Sequence, residues 1–408
     1  MLACILALFQ SIGPVLAAEN SFYQVTMPDI AGQPGTIVRS ERIPAPAGAS
    51  AAYKILYRSR DHSGRPMVLS GVAAIPLTPP GRSGRPVVSW AHGTAGIAAR
   101  CAPSNDRGVF SQIAGFADLM AFGAVVVATD YHGLGVNSRP GYLVSASEAH
   151  AVIDAVRAAR NLPDAHAGRA FAAWGWSQGA HAALAVAAIA GRYAPDLTLV
   201  GVAAASPPTD LRMLLRDDVS TPAGQVLLAY AISSWSQVYG VSTNSVLAPA
   251  AGPTLASIAG MCSRNVLEDI GLGLTALSDA AGGLLNIEAI GQQPWRGLIA
   301  QNSLTTIPSR IPIFIAQGLK DTIIEADVTR EFVRSICRSG AHVSYVEYPL
   351  ADHGQTARSS AQAAVAWMRQ RFEGAAPPSD CSKLNGAFSI HSARRLPVAA
   401  TTPSAVEA

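Results

Sequence analysis

Ala170-Phe171-Ala172-Ala173-Trp174, then Gly175-Trp176-Ser177-Gln178-Gly179, then Ala180 through Gly191 is the stretch on which the fold turns. The first five residues are small or apolar and predict a short buried strand. From Ala180, the run His181, Ala182, Ala183, Leu184, Ala185, Val186, Ala187, Ala188, Ile189 predicts a helix that stops at Gly191. The G-x-S-x-G between them then has a mechanical meaning. A turn this sharp forces its central residue into strained backbone angles and lifts the Ser177 hydroxyl off the end of the sheet. Gly175 and Gly179 flank it because side chains there would collide where helix meets strand. In a chain with 36 glycines the pattern also arises by chance, as a glycine-rich turn with an ordinary serine. The strand before and the helix after select the nucleophile reading.

Working outward, the same rhythm repeats. Ala52–Ser59 alternates like a strand and Arg65–Ile75 reads as its hairpin partner, while Glu19–Ser50 ahead of them reads as an extended arm. Pro86–Trp90 and Gly123–Asp130 are continuous apolar runs, with a helix expected over Ser111–Ala121 between them. In Ser145–Asn161 the residues Ala149, Val152, Ile153, Val156 and Ala159 share one helical face. Downstream, Leu197–Ala205, Ile311–Gly318 and Val343–Tyr348 predict strands, and Asp327–Ser339 and Ser359–Phe372 predict helices. Strands buried on both faces, alternating with helices, argue for a mostly parallel sheet flanked by helices, an α/β fold. Between 211 and 309 no strand is visible and apolar residues recur at helical spacing, so this region reads as a helical insertion. The expected organisation is residues 1–18 as a leader, 19–210 as the first part of the core, 211–309 as the insertion and 310–408 as the second part with its tail.

With 408 residues, 49% hydrophobic and 14% charged, the chain is long enough for a large core. A net charge of +3 without a basic cluster excludes a nucleic-acid surface. Met1–Leu16 is apolar, followed by Ala17 and Ala18, and reads as a secretory signal. It has no Lys or Arg at its start, and a membrane anchor is the alternative. Setting aside Cys4 inside that segment, Cys101, Cys262, Cys337 and Cys381 remain. An even count in an exported chain favours two disulfides, with three connectivities open. There is no C-x-x-C, no H-E-x-x-H and no histidine cluster, so neither a metal nor another cofactor is expected.

A serine hydroxyl needs a base to take its proton, and after this type of turn the partners follow in the order Ser, acid, His on loops after strands. Asp321 lies three residues beyond Gly318, and His353 five beyond Tyr348. His342 precedes its strand and points to the wrong end of the sheet; His391 is in the tail. Glu325 and Asp327 are the substitutes for the acid, although Asp327 reads as the N-cap of the helix that begins there, and Asp352 adjoins the base. The oxyanion of an acyl-transfer intermediate needs two donors. One is the backbone N–H of Gln178; the other comes from His92-Gly93-Thr94, with Thr94 favoured because its hydroxyl adds a donor. The bland reading of Thr94 is a helix cap. His132 reads as a packed or surface residue and His181 as a packing histidine.

These residues resemble the secretory lipase family (fungal lipase A-like) of the α/β-hydrolase superfamily. The resemblance is carried by Gly175–Ala182, with Gln178 where the family often has Gly, by Cys101-Ala102-Pro103-Ser104, by Arg192-Tyr193-Ala194-Pro195 and by Cys337 ahead of the last strand. It implies an α/β-hydrolase core with residues 211–309 as a helical cap or lid holding an acyl-chain tunnel, and the pairs Cys101–Cys262 and Cys337–Cys381. It implies Ser177, Asp321 and His353 as the triad and Thr94 beside the second oxyanion donor. The activity implied is that of a secreted lipase or esterase with a lipophilic ester as its partner, met in solution or at a lipid–water interface. The cap is short for the family, and His92-Gly93-Thr94 resembles bacterial relatives more than fungal ones, so shorter acyl chains fit as well as long ones. A serine peptidase or acyltransferase on the same fold, or a non-catalytic scaffold, are the alternatives. Oligomeric state is not legible.

Overall fold

In chain order the strands are β1 (Ile37–Ile43), β2 (Ala49–Arg60), β3 (Pro66–Pro76), β4 (Arg85–Ala91), β5 (Val125–Thr129), β6 (Ala167–Trp176), β7 (Thr198–Ala205), β8 (Ile313–Gly318) and β9 (Val343–Tyr348). They form one nine-stranded sheet ordered β1-β2-β3-β5-β4-β6-β7-β8-β9. The first four in that order pair antiparallel, and every pairing from β5 to β9 is parallel. This computed structural model describes residues 21–218, 221–263, 266–278, 284–308 and 310–386; the apolar Met1–Leu16 with Cys4, and His391, lie outside the described residues.

The helices are α1 (Met27–Ile30), α2 (Phe116–Phe122), α3 (Ser145–Arg160), α4 (Gln178–Tyr193), α5 (Leu211–Asp218), α6 (Pro222–Tyr239), α7 (Gly252–Gly260), α8 (Val266–Ser278), α9 (Ile287–Ile290), α10 (Trp295–Asn302), α11 (Ala326–Arg338), α12 (His353–Phe372) and α13 (Cys381–Gly386). Alternation along the strands divides the core in two. Val87, Phe171 and Ile315 face one layer with Val152 of α3, Leu184 of α4 and Val333 of α11. Val88, Trp174 and Phe314 face the other with Leu119 of α2 and Val365 and Met368 of α12. All five residues of β5 are buried, as expected of a strand covered on both faces. Helices α5 to α10 lie between β7 and β8 and build a separate apolar core around Leu228, Tyr230, Trp235, Ile258 and Trp295. Cys101 is bonded to Cys262, which ties the loop after β4 to this insertion, and Cys337 to Cys381, which ties the tail to α11.

Five expectations need correction. The N-terminal arm contains a strand, β1, whose half-exposed edge position leaves it without an apolar signature. Helix α4 does not stop at Gly191: it runs to Tyr193, and the Ala194 N–H donates to the Ala190 carbonyl at 2.8 Å. A glycine ends a helix only where the backbone turns left-handed, and Gly191 does not. The N-cap of α11 is Glu325, with Asp327 inside the first turn. The last long helix begins at His353, six residues earlier than its apolar periodicity suggests, because Asp352 and Gln355 form a reciprocal capping box. The helix expected over Ser111–Ala121 is split, a 3₁₀ turn at Val109–Gln112 preceding α2.

A Cβ on Gly179 would stand 1.8 Å from the Ala91 carbonyl oxygen, against backbone that cannot swing away, whereas one on Gly191 would meet nothing within 4 Å. Gly179→Ala should cost at least about 3 kcal/mol, and Gly191→Ala should be neutral or stabilise by up to about 1 kcal/mol. Urea unfolding midpoints of the two variants test this, and equal midpoints would refute the close approach.

Candidate active site

Strand β6 runs directly into α4 through Ser177, whose φ of 55° and ψ of −122° lie outside the regions a side chain normally allows. The turn is held from both sides. The Ser177 N–H donates to the Ala205 carbonyl at 3.0 Å, and its own carbonyl accepts from Ala180 and His181. Gly175 packs on Gly179, where a Cβ would come within 2.0 Å of the Gly179 carbonyl oxygen. Ser177 thus stands at the rim of the sheet as the N-cap of a 16-residue helix.

Two other strand ends meet it there. Asp321 follows β8 and sits in a tight turn of its own, its Oδ1 accepting from the N–H groups of Ile323 and Ile324 at 3.0 and 2.8 Å. His353 follows β9 at the start of α12. Its Nδ1 lies 2.9 Å from Asp321 Oδ2 and its Nε2 lies 2.9 Å from Ser177 Oγ. Asp321 accepts at its other oxygen too, at 3.1 Å. Burial works to raise the Asp321 carboxyl. The hydrogen bond and charge of His353, together with the Ile324 N–H, outweigh it and hold the group below the usual carboxylate range. The His353 ring is placed by Trp176, whose indole N–H donates to the His353 carbonyl at 2.8 Å and whose ring centroid lies 5.3 Å away. A carboxylate on one imidazole nitrogen and a hydroxyl on the other is the arrangement that lets a histidine take a proton from serine.

A secretory lipase family model matches residues 111–380, a span that includes these three side chains. The chain belongs to the secretory lipase family. Lipase A of Arthroderma benhamiae is 26% identical, the match covering 90% of this chain and 82% of that one. A probable inactive lipase of Mycobacterium tuberculosis is 24% identical, with 90% and 84% covered. The fold of this family member is similar to that of Candida antarctica lipase A in its closed state, with a TM-score of 0.74 at 20% identity over 89% and 88% of the two chains.

The other residues singled out in the sequence fall as follows. Gln178 is the first residue of α4, so its backbone N–H has no acceptor within the helix. Thr94 lies in the loop after β4, caps no helix, and its hydroxyl is 2.9 Å from that of Tyr142. That loop crosses the turn closely: a Cβ on Gly93 would strike the Trp176 ring at 2.6 Å. Glu325 serves as a cap and Asp327 pairs with Arg330 at 2.8 Å. His342 stays before β9, its carbonyl accepting from Ile313. His132 is buried against the Arg60 carbonyl, and burial pushes its pKa down to about 4.

Sequence reasoning missed the polar wall behind Ser177. Glu148, on α3, is fully buried, and its carboxylate accepts from the Leu143 N–H at 2.9 Å, from the Gln178 side-chain amide at 2.8 Å and from His181 at 2.7 Å. The second nitrogen of His181 meets the Asn302 carbonyl at 2.8 Å. Both ring nitrogens of His181 thus face an acceptor, so His181 is part of a buried polar network with Glu148, not simple packing. Glu148 lies one position before Ala149 in the α3 pattern, and a lone carboxylate next to an apolar stripe announces no partner. The signal that exists is at Asp352-x-x-Gln355, which marks the helix that carries His353.

Glu148→Ala should destabilise the protein by about 3–5 kcal/mol, because it leaves His181 and two further donors buried without that acceptor; denaturant unfolding measures it. The depressed Asp321 carboxyl contributes stability that is full above the unfolded carboxylate value of about 4 and is lost as pH falls through the folded one. The melting-temperature gap between wild type and Asp321→Asn should therefore be constant near neutrality and close below about pH 4. A gap that widens in acid would contradict the assignment.

Proposed function

We propose that this chain is a secreted serine hydrolase that cleaves carboxylic esters with a lipophilic acyl part. The observation that carries the reading is the unbroken contact from Ser177 Oγ to His353 Nε2 and from His353 Nδ1 to Asp321, each at 2.9 Å. Ser177 Oγ attacks the ester carbonyl carbon while His353 Nε2 takes its proton. Asp321 fixes the imidazole tautomer and stabilises the imidazolium. The carbonyl oxygen, now negative, is met by the Gln178 N–H at the positive end of α4 and by Thr94. Collapse of this intermediate breaks the bond to the alcohol, which leaves with the proton from His353. Water, activated by the same base, then releases the acid from Ser177.

Membership in the secretory lipase family supports an ester as substrate, although one relative is a probable inactive lipase. The insertion supports a lipophilic one. Residues 211–309 serve as the cap, and its apolar interior, with Leu211, Leu228, Trp235, Ile290 and Trp295 buried beside Leu143 of the core, accords with a lipophilic substrate better than with a peptide. Export is supported by the two disulfides and by the apolar N-terminal segment. Among the described residues no helix is long and apolar enough to cross a membrane.

Ser177→Ala should lower hydrolysis of p-nitrophenyl esters by about 10⁶-fold and Asp321→Asn by about 10⁴-fold. A fluorophosphonate should label wild type at Ser177. Peptide anilides assayed in parallel should not turn over. Ester hydrolysis that survives Ser177→Ala would remove the proposal, and labelling with anilide but not ester turnover would replace it by a peptidase.

A further inference from the structure

Tyr142 is 4% exposed, and among the described residues the hydrogen-bond partner of its hydroxyl is Thr94 Oγ1 at 2.9 Å. A buried phenol has one proton to place and loses free energy if it places it nowhere. A phenol is also a stronger acid than an aliphatic alcohol, so in such a pair it is the donor. Burial pushes the Tyr142 phenol well above its ordinary value, which keeps the proton on it throughout the working range. Thr94 Oγ1 then accepts on its buried side, and its own proton must point the other way. That other way is set by the loop. A Cβ on Gly179 would lie 2.7 Å from the His92 carbonyl oxygen, and one on Gly93 would strike Trp176, so His92-Gly93-Thr94 is wedged against both neighbours of the Ser177-Gln178 pair.

We propose that Tyr142 is a positioning residue. By donating to Thr94 Oγ1 it turns the Thr94 hydroxyl proton toward the carbonyl oxygen of the bound ester. Tyr142 is itself held by the insertion. Its carbonyl accepts from the Trp235 indole at 3.0 Å, and its ring meets Tyr230 edge-on at 5.8 Å, both on α6. The next residue, Leu143, donates its N–H to Glu148. The orientation of an oxyanion donor therefore depends on α6 being packed in place, although no residue of α6 enters the chemistry.

The test compares wild type with Tyr142→Phe, Thr94→Val, Thr94→Ser and the double variant Y142F/T94V, reading kcat and KM on p-nitrophenyl butyrate, the melting temperature and fluorophosphonate labelling of Ser177. Thr94→Val should lower kcat roughly 100-fold with KM nearly unchanged. Thr94→Ser should recover most of that loss. Tyr142→Phe should lower kcat about 10-fold at constant KM, and the double variant should be no slower than Thr94→Val, because without the Thr94 hydroxyl there is nothing for Tyr142 to orient. Should Tyr142→Phe fail to fold, Trp235→Phe, which frees the Tyr142 carbonyl, should give a smaller kcat loss that likewise vanishes in the Thr94→Val background. Losses that multiply, or a Tyr142→Phe enzyme with wild-type kcat, would overturn the proposal. The inference rests on the hydrolase reading, and the two fail differently. A wild-type Ser177 that the phosphonate does not label ends both, whereas normal labelling with kcat indifferent to Tyr142 ends this one alone.

Discussion

Helix α4 lies so close to the ends of β4 and β6 that there is no room for a side chain at Gly179, where a Cβ would stand 1.8 Å from the Ala91 carbonyl oxygen. The rest of the site depends on that approach. It forces the chain to reverse within a single residue, and Ser177 absorbs the reversal at a positive φ. Such a conformation costs about 1–3 kcal/mol and persists only where its surroundings fix it. Here β7 fixes it through the Ala205 carbonyl and the first turn of α4 fixes it through Ala180 and His181. The same reversal sends the hydroxyl outward and puts the first amides of α4 beside it. The outward Ser177 hydroxyl and the free first amide of α4 beside it are thus two consequences of one close contact.

The remaining groups arrive from separate strands, each with local supports of its own. Asp321 is set by its own turn, His353 by a helix start and the Trp176 indole, and Thr94 by a loop pressed on Trp176. These supports come from backbone, a capping box and an aromatic ring, and not from Ser177, Asp321 or His353 themselves. Behind them the Glu148–His181 pair joins α3, α4 and the Asn302 carbonyl of α10 in one buried network. Removing any member strands the others in a medium without water, which makes the wall rigid. Core and insertion meet at this wall, at Tyr142 and at the Cys101–Cys262 bond.

The parallel strands were legible because burial on both faces leaves continuous apolar runs. The turn at Ser177 was legible because close packing demands glycine on both sides. The order of serine, acid and histidine followed from placing those residues after strands. These signals are local: each needs only a few neighbours in the chain to be read. By contrast β1, the start of α12 and the continuation of α4 beyond Gly191 were misread, since an exposed edge strand, a polar first turn and an exposed helical glycine carry little apolar pattern. Only the tertiary structure decided that the imidazole faces both Asp321 and Ser177, that Glu148 and His181 pair, and that Thr94 meets Tyr142. Those are distances between residues 30 to 180 positions apart, fixed by how helices and loops pack, and hydrogen-bond geometry has no counterpart in the linear order of side chains.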